Sequence, residues 1–381
     1  MRLLIVSDGP NITTGYGNIA KSFAKYLLRR GGVEVAFGSL QQLGGPLYAK
    51  INRECVPVYS CYGGQPPYLE RTLMDFKPDL LLHVRDPVVL SPACFQGSYR
   101  LRPAASKYGC KVIHWAPIMG EPPAEVVQAL SEDSDLVLCP TEWGFNLLLF
   151  GGMPSNRMEV LGWGVDVEVF YPDSGDKSIF GVPSDRIVIG TVGVHDRREK
   201  NYPLLMKAAS ILLKKYDLDV YLHTGSGAIS IEHYAEILGL KGRILRPRIY
   251  IKDWGYPEDV MRKIYCSLDC YVSASGAEGF NMPVNEALCC RTPVVASAHP
   301  VHAEVAGGLA LLADAKPLIP NAFHLDYAVD PEDLAKKIEL VISGEYSIDS
   351  QAWREYVERI RWEAKVEKFA EIIAKKLGVR I

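Results

Sequence analysis

Residues 273–290 read SASGAEGFNMPVNEALCC, and the interpretation of this stretch decides the fold. DCYVSAS (269–275) has the β-rich apolar character of a strand, and PVNEALCC (283–290) reads as a helix. Pro283 suits a first helical turn, where its missing N–H would have no partner anyway. Met282 carries no side-chain acceptor, so the backbone N–H groups from Gly279 to Val284 need one from elsewhere. Two sources compete. A phosphate supplies the acceptors and gains roughly 0.3–2 kcal/mol from the helix dipole. Alternatively, Asn281 caps the helix with its own side chain. Glu286 falls about one turn into the helix and leans back toward the N-terminus, where its two oxygens can grip both hydroxyls of a ribose. Glu278 stands at the strand end. An anion beside a phosphate is unfavourable, so both carboxylates are expected to face hydroxyls. Taken alone, two such glutamates read as a solvated face.

The same alternation runs through the chain. LLIVS (3–7), VEVAFG (33–38), DLLLHV (79–84), KVIHWA (111–116) and LVLCP (136–140) are strand-like in the first part. RIVIGTVG (186–193), DVYLHTG (219–225), RIYIK (248–252), CYVSAS (270–275) and TPVVAS (292–297) repeat the pattern. Runs apolar on successive residues suit parallel strands buried on both faces. Helical stretches such as NIAKSFAKYLLRR (18–30) and YPLLMKAASILLKKY (202–216) separate them. Two blocks of strand–helix alternation imply two doubly wound α/β domains. The boundary is placed at the Pro-, Gly-, Asp- and Ser-rich YPDSGDKS (171–178), giving domains 1–170 and 171–350 and closing helices over 351–381. In those helices Trp353, Tyr356, Val357 and Ile360 share one face. Phe369, Ile372 and Ile373 continue the stripe after a break near Trp362. Ligands of open α/β sheets sit beyond the carboxyl ends of the strands, so the loops there, and a cleft between the domains, are where chemistry is expected.

The 381 residues are 48% hydrophobic and 23% charged, as in globular proteins, and the net charge is -3. That balance argues against a nucleic-acid binder driven by bulk charge. No apolar run is long enough to span a bilayer, and MRLLIVSDGP (1–10) reads as a buried strand rather than a signal peptide, so a cytoplasmic location is expected. Nine cysteines are scattered without a C-x-x-C pair and read as buried small hydrophobes. The scarcity of Asn and Gln suggests a heat-stable protein, in which Cys266 with Cys270, or Cys55 with Cys61, are candidate disulfides.

Read in order, several segments resemble those of the retaining family 4 glycosyltransferases (glycosyl transferases group 1), which have the GT-B fold of two Rossmann-like domains facing a central cleft. SGAEGFNMPVNEAL (275–288) resembles the family's E-x7-E signature. LGWGVDVEVFYP (161–172), CPTEWGFNLL (139–148), TVGVHDRREKNYPLLMKAA (191–209), TPVVASAHPVHAEVAGG (292–308), TTGYGNIAKSFAKYL (13–27) and VERIRWEAKVEKF (357–369) are similar to its other elements. The resemblance covers nearly the whole chain and implies roles residue by residue. Glu286 binds the nucleotide ribose, and Glu278 contacts the donor sugar. The N–H groups of Gly279, Phe280 and Asn281 meet sugar or phosphates. Lys200, with Arg197 or Arg198, neutralises the diphosphate. The loop departs from the family pattern, because Val194 follows Gly193 where the family has Arg. His114 matches a family histidine beside the sugar, against the plain reading of a satisfied core residue. Gly15 and Gly17 permit close backbone approach to the donor. His83, Arg85 and Asp86 at a strand end, and Glu121, are the acceptor-side candidates.

The resemblance further implies transfer of a sugar from a nucleoside-diphosphate donor to a hydroxyl acceptor with retention, by front-face attack. The acceptor is a sugar, polysaccharide or lipid-linked compound. No D-x-D is seen that would hold a divalent metal on the donor, so neither metal nor cofactor is expected. The basic run Lys21, Lys25, Arg29 and Arg30 would serve peripheral contact with the inner membrane face, or is a solvated face. Rival readings are a sugar-nucleotide epimerase or phosphorylase on the same fold, and a non-catalytic nucleotide-sugar-binding module.

Overall fold

The computed structural model of the protein describes residues 1–42, 44, 47–193, 198–225, 230–247, 255–318 and 326–381, with only the backbone of Arg198. These divide into two compact units, Met1–Gly164 with Ile360–Ile381, and Val165–Arg359. The division lies upstream of the Pro- and Gly-rich stretch at 171–178. It also separates the two closing helices. Trp362–Leu377 belongs to the first unit, and Ser350–Ile360, all but its last residue, to the second.

The first unit is built on β1 (Arg2–Ser7), β2 (Glu34–Ser39), β3 (Leu47–Ile51), β4 (Glu54–Ser60), β5 (Leu80–Val84), β6 (Lys111–Trp115), β7 (Leu136–Cys139) and β8 (Met158–Val160). They form one sheet in the order β3-β4-β2-β1-β5-β6-β7-β8, parallel except for β3 against β4. β5 is buried at every position, as its unbroken apolar run requires of a strand covered on both faces. The chain builds outward from β1 through β2, then returns to its other side with β5. The switch point therefore lies between β1 and β5.

The second unit repeats the plan with β9 (Ile187–Val192), β10 (Leu218–His223), β11 (Ile244–Leu245), β12 (Cys270–Ser273), β13 (Val294–Ser297) and β14 (Ala310–Ala313). The order is β11-β10-β9-β12-β13-β14, all parallel, with the switch point between β9 and β12. β15 (Ala315–Pro317) and β16 (Tyr327–Val329) add an antiparallel pair. The fold is thus the α/β, doubly wound pair of Rossmann-like domains expected from the sequence. The RIYIK strand (248–252) lies outside the described residues.

The break expected near Trp362 is present, because one helix ends at Ile360 and the next starts at Trp362. Trp362 and Phe369 pack on Phe23 and Trp115 with ring centroids 5.0–6.1 Å apart. Trp115 Nε1 donates to the Leu161 carbonyl over 2.7 Å. A Cβ at Gly164 would stand 2.5 Å from the Trp362 ring, so only glycine fits there. The basic run of the Gly15–Arg30 helix is engaged within this unit. Lys25 and Arg29 lie against the Tyr26 ring, and Arg30 pairs with Glu367 at 3.0 Å. Among the described residues no helix is long and apolar enough to cross a membrane.

Phe369 is fully buried in this aromatic cluster. Phe369→Ala is expected to remove about 3–5 kcal/mol from the unfolding of the first unit. Tryptophan fluorescence during denaturation reads this directly, since Trp115 and Trp362 line the same cluster. A loss below about 1 kcal/mol would show that the closing helix contributes little.

Candidate active site

In the second unit the loops following β9 and β12 meet at the switch point. β12 ends at Ser273, and the chain turns through Gly276 and Glu278 to Asn281 before the Met282–Cys289 helix. Gly276 N–H donates to the Glu199 carbonyl over 2.7 Å, and Tyr327 N–H donates to the Gly276 carbonyl over 2.9 Å. A Cβ at Gly276 would fall 1.9 Å from the Tyr327 oxygen, so this three-way crossing requires glycine. Asn201 Nδ2 fastens it further, donating to Ala274 O at 3.0 Å and Tyr327 O at 2.8 Å.

This crossing brings Lys200 to Glu278, with Nζ 2.6 Å from Oε1. Glu278 is 8% exposed. Burial pushes its carboxyl up, but Lys200, His302 and hydrogen bonds from Lys200 and Ser275 outweigh that and hold it below its ordinary value. Asn281 shares its two amide hydrogens among Glu278 Oε1 (3.1 Å), Ser273 Oγ (2.9 Å) and His302 Nε2 (2.8 Å). His302 Nδ1 faces the Ser297 carbonyl at 3.0 Å, so Nδ1 carries the proton and Nε2 accepts from Asn281. Burial keeps this imidazole below its usual pKa, against the pull of Glu278, and therefore neutral at pH 7.

These bonds settle the competition over the helix start. Asn281 is in the left-handed conformation, φ 58° and ψ 71°, and makes no side-chain cap. Its amide is spent on Glu278 and His302, and Met282 offers nothing. The same device recurs one loop away. Asn201, at φ 51°, opens the Tyr202–Leu212 helix without capping it. Both helices carry Pro in the first turn. Two helix N-termini at the switch point thus present N–H groups and positive dipole ends without a side-chain cap.

Glu286 lies one turn into its helix, partly buried, and accepts from the Tyr265 hydroxyl at Oε2 over 2.7 Å. Burial pushes its carboxyl up to about 7, opposed by that hydrogen bond. The helix is anchored from behind. Asn285 donates to the Asn281 carbonyl over 2.9 Å and receives the Tyr356 hydroxyl over 2.6 Å. Gly279 and Phe280 are buried in the turn. Arg197 and the side chain of Arg198 lie outside the described residues, as does the departure at Val194.

The candidates of the first unit separate. Arg85 sits at that unit's own switch point in an ion pair with Asp8, which also accepts from Thr14 Oγ1 over 2.6 Å. Asp86 caps the short Pro87–Leu90 turn by accepting from Val88 N–H over 3.1 Å. Glu121 is exposed on the loop after β6. The reading of His114 as a sugar contact is corrected. It is 1% exposed and pairs in register with His83 on the neighbouring strand. His114 Nε2 faces Asp133 Oδ2 at 3.1 Å and Nδ1 faces His83 Nδ1 at 2.9 Å, while His83 Nε2 faces the Tyr99 hydroxyl at 2.9 Å. One proton arrangement satisfies all of them: Tyr99 donates to His83, His83 to His114, and His114 to Asp133. Neither nitrogen of His114 remains for a sugar. Gly17 has a reason of its own to be glycine, because a Cβ there would run into the Ile12 carbonyl of the same loop. Gly15 has open space around it. The proposed disulfides are not formed, and all nine cysteines are thiols.

Tyr265, His302, Asn201 and Asp8 were not singled out in the sequence. Asp8 carried a signal, a charge directly after a buried strand. Tyr265 had none, being tied to Glu286 only through the packing of two helices. Among the described residues, no group of three or more His, Cys, Asp and Glu side chains is gathered as a metal site needs.

Two doubly wound, Rossmann-like units are the architecture of the GT-B class of glycosyltransferase folds, which the solved structures named below share. Residues 186–344 match the family described as glycosyl transferases group 1, so this segment is a domain of that kind. It is 29% identical over 188 residues to a D-inositol 3-phosphate glycosyltransferase of Mycolicibacterium smegmatis, a match covering 47% of this chain and 41% of that relative. The matched stretch is thus under half of the relative's length. In fold it is similar to a sucrose-phosphate synthase of Thermosynechococcus elongatus, with TM-score 0.76 and 14% identity over 99% of each chain. It is also similar to Anabaena HepE in complex with UDP and glucose, with TM-score 0.73 and 16% identity over 98% of this chain and 99% of the other.

Lys200→Ala leaves a buried Glu278 carboxylate without its cation. It is expected to cost the second unit about 1–3 kcal/mol at pH 7.5, discounted because the lysine is partly exposed. The sign with pH follows. In the wild type the depressed carboxyl contributes stability above its unfolded pKa and loses it as pH falls. In the variant, burial raises the pKa and acidification neutralises an unpaired charge. The gap between the two proteins should therefore narrow from pH 7.5 to pH 5 in denaturant titrations. A gap that is constant or widens would show that the pair is not coupled as described.

Proposed function

We propose that the protein is a retaining hexosyltransferase that moves a sugar from a nucleoside-diphosphate donor to a hydroxyl acceptor without a metal. The observation that carries this reading is the helix start at Asn281, left without a side-chain cap beside Lys200 and one turn from Glu286. The diphosphate lies against the N–H groups of 279–284 and the dipole of that helix. Lys200 supplies the mobile positive charge, with Arg197 or Arg198 from the same loop. Glu278 accepts hydrogen bonds from the donor sugar, and Glu286 accepts both ribose hydroxyls. The acceptor is a sugar, polysaccharide or lipid-linked hydroxyl compound, and Arg85, Asp86 and Glu121 are its proposed contacts. The enzyme works in the cytoplasm, peripheral to the inner membrane face where the acceptor is lipid-linked.

In the reaction the acceptor oxygen attacks the anomeric carbon on the face from which the diphosphate departs. The new C–O bond forms as the C–O bond to phosphate breaks, and the acceptor proton passes to the leaving phosphate oxygen. No protein nucleophile is required. Catalysis then rests on positioning and on stabilising the negative charge that grows on the diphosphate. Lysine and helix N–H groups take the part that a divalent ion plays elsewhere, which supports metal independence. Incubation with UDP-, GDP- and ADP-sugars and a panel of sugar acceptors tests the whole reading. Proton NMR should show a product with the donor's anomeric configuration, formed equally with chelator present. Inversion, dependence on added metal, or release of an epimerised or phosphorolysed sugar would overturn it.

The Glu286 carboxyl supplies a pH test. Ribose hydroxyls need the ionised form as acceptor, and burial places its pKa at about 7. Affinity for a nucleotide sugar, whose diphosphate diester does not titrate here, should rise from pH 5.5 to 8, by up to about tenfold per unit below pH 7. Glu286→Gln should flatten the profile, and Glu286→Ala should weaken binding at pH 8 by about tenfold or more. Calorimetric titration reads all three, and an unchanged slope in Glu286→Gln would remove Glu286 from the ribose.

A further inference from the structure

Tyr265 lies in the last turn of the Glu258–Ser267 helix and is fully buried. Its ring packs against Phe170 and Tyr271, with centroids 6.1 and 5.7 Å away. Its carbonyl accepts from Thr292 Oγ1 over 2.8 Å, so ring and backbone are both held. From that fixed seat the hydroxyl donates to Glu286 Oε2 over 2.7 Å. The two oxygens of Glu286 therefore differ. Oε2 is tied, whereas among the described residues nothing donates to Oε1, which still reaches solvent.

Few titratable or charged groups face this carboxylate. Tyr265 and Glu258 come from the neighbouring helix, and Cys289 and Cys290 stand at the end of its own. Glu258 is a like charge, and the two thiols carry none at pH 7. Burial and Glu258 push the Glu286 carboxyl up, and among the described residues only the Tyr265 hydrogen bond opposes them. Burial and the carboxylate in turn hold the Tyr265 hydroxyl well above its usual range, so it remains a donor.

We propose that Tyr265 is a positioning residue for nucleotide binding, its hydroxyl pinning Glu286 Oε2 so that Oε1, with two lone pairs, is presented to the ribose hydroxyls. The ligand in this assignment rests on the proposed transfer reaction, whereas the hold on the carboxylate rests on the hydrogen bond itself. A free glutamate loses rotamer freedom when it closes on a ligand. Tyr265 removes that cost before the ligand arrives, and it favours the ionised form that hydroxyl donors need.

The full-length protein and its Tyr265→Phe variant test this in two arms. The variant keeps the ring, its packing and the Thr292 contact. In the first arm, without nucleotide, carbon-13 NMR follows the Glu286 carboxyl carbon, identified by its loss in Glu286→Gln. Its titration midpoint should rise from about 7 by about one pH unit in Tyr265→Phe. Tyr356→Phe removes a buried hydroxyl that meets Asn285 on the same helix, and should leave the midpoint in place. In the second arm, UDP-glucose, GDP-glucose and ADP-glucose are titrated calorimetrically. At pH 8.5, where both carboxyls are largely ionised, Tyr265→Phe should bind about threefold to tenfold more weakly through lost orientation. At pH 6.5 the gap should widen by about a further fivefold. A merely structural role would weaken binding equally at both pH values. A midpoint unmoved in Tyr265→Phe, or moved as far in Tyr356→Phe, would overturn the proposal and leave the ribose reading standing. So would an affinity gap that does not change with pH. Failure of the ribose reading shows separately, as an affinity profile unchanged in Glu286→Gln or no binding of any of the three nucleotide sugars, and it would take the binding role of Tyr265 with it.

Discussion

A buried carboxylate sets the terms for the second unit. Glu278 is tolerated at 8% exposure because Lys200 meets it at 2.6 Å and Asn281 donates to the same oxygen. An ionised group taken from water without such partners would cost several kcal/mol. To bring Lys200 there, the loop after β9 must lie across the loop after β12, and that is possible only where the sheet order reverses. Gly276 lets the backbones cross, and Asn201 and Tyr327 fix the crossing. The ion pair is therefore a consequence of the doubly wound topology.

The left-handed asparagines follow from the same constraint. A cap residue that satisfied the helix would hold extended geometry and turn its side chain onto the helix N–H groups. Asn281 does the opposite, accepting a sparsely populated backbone conformation to place its amide between Glu278 and His302. The helix end is left open by the residues that build the polar cluster. The neutral His302 and the fully satisfied Asn285–Tyr356 contact behind it keep the turn from relaxing into an ordinary cap.

Much of this was legible in the sequence. Parallel strands announced themselves as unbroken apolar runs, since a strand buried on both faces has no polar side to show. Glu278, Glu286, Pro283 and Lys200 could be placed by offset from strand and helix ends. Side-chain direction was not legible. Whether Asn281 capped or not depended on His302, twenty-one residues on, and the sequence left both options open. His114 misled because a strand-end histidine looks the same whether it faces a ligand or, as here, another histidine across a strand pair. Tyr265 escaped because its hydroxyl reaches Glu286 from a separate helix, a contact set by packing alone.

The most direct measurement is a crystal structure of the protein with a nucleoside-diphosphate sugar bound. The account requires the diphosphate oxygens within hydrogen-bonding distance of the backbone N–H groups of residues 279–284, Lys200 turned toward them, and the ribose hydroxyls on Glu286. A nucleotide bound elsewhere, or an Asn281 side chain swung round to cap its own helix with the ligand absent from that end, would contradict it.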